Sequence, residues 1–101
     1  MAFNDLSPAV KQAKSDGYHV VGLELADNAL PMHDVDLNRD ICIAIGSEDR
    51  GLSVECLRSC DTVAYIPQVG KVGSLNVATA AAIACYEVRR QDWMNAEVAD
   101  E

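Results

Sequence analysis

The stretch Ile66–Tyr86, IPQVGKVGSLNVATAAAIACY, constrains this chain more than any other. A β-branched run ends at Pro67, a glycine-containing loop follows, and a Ser-Leu-Asn triplet opens an alanine-rich helix. Core packing alone does not call for that order. It gathers backbone amides, a hydroxyl and a side-chain amide at the start of a helix, a place suited to a small polar ligand.

The rest of the chain reads as strands alternating with helices. Ser7-Pro8 is an N-cap followed by proline at the first helical position, and that helix runs to about Ser15, ended by Gly17. YHVVGLEL, residues 18–25, is a strand rich in β-branched residues. Residues 26–40 form a long polar connection. ICIAI, residues 41–45, is a continuous apolar run suited to a strand covered on both faces, as in a parallel sheet. GSEDRG is a loop, Leu52 to Cys60 a helix of about two turns, TVAYI a third strand, and Asn76 to about Arg90 the last helix.

This alternation predicts one α/β domain with a parallel sheet and flanking helices. Three strands make a small sheet, and the core looks incomplete unless another segment or chain covers it. Ligands in such folds sit at the carboxyl ends of the strands. Those ends are the two glycine-containing loops, Gly46–Gly51 and Pro67–Leu75.

Composition excludes some functions. Acids outnumber bases 16 to 8, for a formal charge of −8, which argues against a broad phosphate-binding face. No apolar run reaches the roughly 18 residues a membrane span needs. MAFNDLSPAV lacks a basic region followed by an apolar one, so no signal peptide is read and a cytoplasmic location is expected. Cys42, Cys56, Cys60 and Cys85 form no CxxC, and no Cys/His pair has zinc spacing. They are expected to be reduced, mostly buried thiols, with no metal. The acidic tail, residues 94–101, is expected to fray.

Neither loop is a common phosphate loop. A dinucleotide fingerprint needs glycine where Glu48 stands, and a Walker loop needs Lys and Ser/Thr where Leu52 and Ser53 follow Gly51. Glu48 and Asp49 would repel phosphate. A cationic or uncharged adenosine-like ligand such as S-adenosylmethionine suits them better.

Taken together, GSEDRGLS, IPQVGKVGSLNVATAAAIACYE and the upstream GYHVVGLEL resemble the C-terminal half of the SpoU/TrmH RNA 2′-O-ribose methyltransferases of the SPOUT class, over about residues 5 to 92. The resemblance implies a trefoil-knotted fold, an exception to the rule against knots. It also implies an S-adenosylmethionine pocket in the knot, a homodimer built partly by the last helix, and tRNA or rRNA as substrate. Carried over by motif, the cofactor touches the backbone at Gly46, Ile66 and Leu75, and Pro67 shapes the same wall. Ser74 and Asn76 match the motif lining the reaction centre, and Glu48 matches the acid of the second motif. The family's first motif, with its Asn and essential Arg, has no counterpart here. The N-terminal strands of the full domain are expected to be missing, leaving a cofactor-binding portion.

Plainer readings stand beside these. Ser74 and Asn76 are also the residue types that cap helices. Glu48 also reads as a solvated loop acid or a helix anchor, and the alanines of the last helix as core packing or as a dimer face. Arg89 and Arg90 suit a helix C-terminus. His19 and His33 lie in no motif. The expected function is S-adenosylmethionine-dependent methylation of a ribose 2′-hydroxyl as part of a longer enzyme. The alternative is a module that binds cofactor or dimerises without turning over.

Overall fold

The computed structural model describes residues 6–47, 51–67 and 77–100. Helix α1 spans Ser7–Ser15, strand β1 His19–Leu23 and strand β2 Leu30–Pro31. A 3-10 turn covers Met32–Asp34, then come β3 at Ile41–Ile45, α2 at Val54–Ser59, β4 at Thr62–Tyr65 and α3 at Val77–Asp100. Among the described residues the sheet has the order β2-β4-β1-β3, and every pairing is parallel. The expected α/β class with a parallel sheet and flanking helices is what forms.

Strand register sorts side chains into two layers. His19 lies beside Ile41 and Leu23 beside Ile45, while Val21 faces Thr62 and Leu23 faces Ala64. In-register parallel neighbours point to the same side. Val21, Leu23 and Ala64 therefore share one core with Ile41, Ile43 and Ile45, and Ala84 of α3 closes it. Val20 and Ala44 face the other way, against Val10 of α1 and Leu52 and Cys56 beside and within α2. Both faces of ICIAI are thus covered, as its apolar run predicts. Yet β3 is an edge strand among the described residues, and Ile41, Cys42, Ile43 and Ile45 remain only half-buried.

Several boundaries differ from the sequence reading. Ser7 is not a cap but lies inside α1, 3% exposed, and Leu6 takes the N-cap position. Leu6 packs against the core, which draws the helix start one residue earlier. Gly17 does end the helix, at φ +97°. α2 starts at Val54 because the Ser53 hydroxyl caps it, accepting the Cys56 N–H at 3.0 Å.

The segment read as a polar connection holds β2 and the 3-10 turn, and buries Met32, Val35 and Leu37 under α3. These three alternate with His33, Asp34 and Asp36 at a spacing that matches neither the helical nor the strand period, so pattern reading passes over them. Finally, α3 does not stop near Arg90. It contains no glycine or proline to end it, and it carries residues 94–100, read from sequence as a tail.

The Gln91 side chain clamps this extension to the sheet layer. Its Oε1 accepts the Leu37 N–H at 2.8 Å, and its Nε2 donates to the Val35 carbonyl at 2.9 Å and to Glu87 at 2.8 Å. Arg90 pairs with Glu87 at 2.7 Å, and the Arg89 guanidinium lies 5.3 Å from the Trp93 ring centroid. Both arginines are mid-helix residues with partners of their own, which corrects the C-terminal reading.

Candidate functional site

Because the strands are parallel, their carboxyl ends share one edge of the sheet. β3 runs out into Gly46, β4 into Ile66 and Pro67, and β1, between them, into Glu24. Two strand spacings, about 10 Å, therefore separate the two loop entrances. Gly46, Ile66 and Pro67, three of the residues expected at the cofactor, come to this one edge. Ile66 packs half-buried against the α3-side core and Pro67 is exposed. Glu48, Ser74, Leu75 and Asn76 lie outside the described residues.

The two ends of the β3 loop meet closely. Gly51 N–H donates to the Ser47 carbonyl at 2.9 Å, forming an isolated bridge between the two residues. Gly51 has φ +65°, a conformation side-chain-bearing residues seldom take. A Cβ placed on Gly46 would collide with the Gly51 carbonyl group and the Leu52 amide. Glycine at both ends is thus a steric requirement of the closed loop.

Glu24 fastens the far end of the loop, and sequence reasoning did not single it out. Its Oε1 accepts the Leu52 N–H at 2.7 Å, and a Cβ on Gly51 would run into the same carboxylate. The only sequence signal was an acid at the end of an apolar strand, a common and uninformative arrangement.

Other chemically capable groups gather elsewhere. At the amino ends of the strands, an open hollow of about 420 Å³ is lined by Lys14, His19, Arg39, Asp40 and Asp61 among others. There His19 bonds Thr62 Oγ1 at 3.0 Å and meets Arg39 at 3.3 Å. The Val20 N–H bound to Asp61 holds that carboxyl below its usual value. This cluster ties β1, β4 and α1 together at the end of the sheet away from Gly46. Burial, reinforced by Cys56, pushes the Cys60 thiol up to about 12, so it stays protonated and is a poor nucleophile. Cys56 is buried, but Cys85 is exposed, against the expectation of mostly buried thiols; it lines an open hollow between α3 and residues 37–39. Among the described residues no group of three or more His, Cys, Asp or Glu is placed to hold a metal ion. Nor is any helix there long and apolar enough to cross a membrane.

The strand-end edge thus presents closely packed backbone and a carboxylate that accepts the Leu52 amide.

Comparison with known proteins gives this edge a context. Residues 1–86 match the model of the SpoU rRNA methylase family. The chain is 37% identical over 86 residues to the tRNA (guanosine(18)-2′-O)-methyltransferase of Escherichia coli K12, covering 85% of this chain and 38% of that protein. It superposes on the AdoMet-bound rRNA methyltransferase of Sinorhizobium meliloti with a TM-score of 0.76 at 32% identity, over 82% of this chain and 32% of that one. The TrmH/SpoU tRNA-modifying enzyme of A. aeolicus gives a TM-score of 0.81 at 26% identity, over 93% and 48%. The chain spans well under half the length of the curated relatives it matches.

Proposed function

The chain belongs to the SpoU rRNA methylase family, and from that premise we propose that it is the S-adenosylmethionine-binding part of an RNA 2′-O-ribose methyltransferase. The observation that carries the reading is the convergence of Gly46 and Ile66–Pro67 on one strand-end edge, within the segment matched by the family model. A further support is that the Sinorhizobium meliloti relative was crystallised with AdoMet bound.

In this reading the backbone at Gly46, Ile66 and Leu75 holds the cofactor, and Pro67 forms part of the wall. S-adenosylmethionine, when bound, supplies an electrophilic sulfonium methyl for the ribose oxygen. Ser74 and Asn76 orient the ribose and the cofactor by hydrogen bonding, and neither is a base at neutral pH. Glu48 sits in the first loop as the second-motif acid. Loss of the hydroxyl proton depends on a further group, which the family resemblance assigns to an Arg of the first motif. The reading carries with it a trefoil knot.

The substrate class is tRNA or rRNA, the two kinds named for the relatives. The partner is a second copy meeting across α3. That helix turns Ala80, Ala84 and Val88 to the sheet and leaves Ile83, Tyr86, Trp93 and Met94 exposed, the last three more than half. Such a row is what a helix packed in a dimer presents.

Calorimetric titration with S-adenosylhomocysteine tests the reading. Saturable binding near one site per chain is expected, and a folded chain that binds none overturns it. The alternative is a cofactor-binding or dimerising module that does not turn over. Methyl transfer to tRNA or rRNA by the chain at one turnover or more would exclude that module.

A further inference from the structure

We propose that Glu24 is a positioning residue that holds Gly51 and Leu52 against Gly46 and so sets the cofactor affinity of the site; this rests on the reading just given.

The residue is doubly held. Its N–H donates to the Ala64 carbonyl at 2.8 Å, continuing the β1–β4 pairing one residue past the end of β1. Its backbone is therefore fixed to the strand that leads into Ile66 and Pro67. Its side chain reaches the other way, taking the Leu52 N–H at 2.7 Å at the exit of the β3 loop. One residue thus couples the exit of the β3 loop to the strand that enters the second loop.

The contact at Leu52 is selective. Ser53 caps α2 through the Cys56 N–H, so the Leu52 N–H lies ahead of the helix and draws on Glu24 instead. The Leu52 side chain is 6% exposed within the α2-side core. Without Glu24, that amide competes for water beside a buried residue. The carboxylate also fills the space against Gly51, and the Gly51 carbonyl and Leu52 amide fill the space against Gly46. Glu24, Gly51 and Gly46 form an interlocked series that ends at the proposed cofactor contact. Loosening the first member frees the last.

A carboxylate accepting a backbone N–H is a charge-assisted bond, and losing such a bond weakens an equilibrium by about tenfold or more. Two readouts on the folded chain test the proposal: amide hydrogen exchange at Leu52, and S-adenosylhomocysteine affinity by calorimetry. Glu24→Ala is expected to speed Leu52 exchange about tenfold and to weaken binding by a similar factor. Glu24→Gln keeps an acceptor oxygen at the same reach and is expected to stay within about threefold of the parent in both.

Unchanged Leu52 exchange in Glu24→Ala overturns the proposal. So does Glu24→Gln losing affinity as fully as Glu24→Ala, which would mean direct charge recognition of the ligand. Should Glu24→Ala fail to fold, Glu24→Asp carries the test: it keeps the charge but is one methylene short, so loosened exchange is expected and parent-like exchange refutes it. A parent chain that binds no S-adenosylhomocysteine removes the cofactor reading, while the exchange data still decide whether Glu24 holds the loop.

Discussion

Truncating Gln91 to alanine removes three hydrogen bonds from one side chain, and their placement sets the expected cost. Two of them, at 2.8 and 2.9 Å, go to backbone groups of Leu37 and Val35, residues only 1% and 6% exposed. The third, at 2.8 Å, goes to the Glu87 carboxylate. A buried backbone group left without a partner costs about 1–3 kcal/mol. Gln91 is itself only half-buried, so water reaches part of the vacated space and the low end of that range applies to each group. The sum is about 2–3 kcal/mol, set against a total of roughly 5–15 kcal/mol for a chain of this size. At roughly 4–8 °C per kcal/mol, the midpoint should fall by about 10–20 °C. Thermal and urea unfolding followed by circular dichroism measure this, with Asn95→Ala, exposed on the same helix, as the control. If Gln91→Ala unfolds within about 0.5 kcal/mol of the parent, the clamp is not holding α3, and the argument for the long helix fails with it.

Three further outcomes are expected. Glu87 is held below its ordinary value of 4.5 mainly by the Arg90 hydrogen bond, with Gln91 adding to it. It therefore binds its proton less readily folded than unfolded, so its contribution is complete above pH 4.5 and is lost as pH falls through the lower folded value; Glu87→Gln should flatten the acid side of a stability–pH curve, and an unchanged slope would count against the pair. Gly46→Ala drives a Cβ into the Gly51 carbonyl and the Leu52 amide, at a cost of about 1–3 kcal/mol, and should abolish S-adenosylhomocysteine binding in calorimetry; parent-like affinity would show the loop opens freely. Tyr86→Ser with Trp93→Ser removes two large exposed apolar groups from α3; if the proposed dimer forms across α3, light scattering should find the parent a dimer and the variant shifted to monomer without loss of helical signal, whereas an unmoved mass would count against that interface.

Much of the fold was legible because its signals are local. ICIAI has the length and continuity of a buried strand, and β3 occupies the same residues. Gly17 stops α1 because a left-handed residue is needed there, which a neighbouring pattern can announce. The two glycine-containing loops were legible by motif, and the strands they follow end at one edge of the sheet with β1 between them. What was missed depends on distant partners. Leu37 is 1% exposed beneath α3, yet it stands between Asp36 and Asn38 in a segment with no period. Gln91 looks like a surface residue until Val35 and Leu37, far back in the chain, present their backbone to it. Glu24 looks like a strand-end acid until Leu52 turns its amide toward it.

The order of residues alone was enough to establish an α/β chain with parallel strands, to locate the two loops that follow β3 and β4, and to reveal the family resemblance. Those features follow from backbone preference and side-chain pattern over a few neighbouring residues, which every window of sequence records. Tertiary structure alone decided that β1 lies between β3 and β4, that α3 runs on past Arg90, and that Glu24 locks a loop whose nearest glycine is more than twenty residues away. Strand order and hydrogen bonds of that kind depend on which surfaces meet when the layers pack, and no short stretch of the chain carries that information.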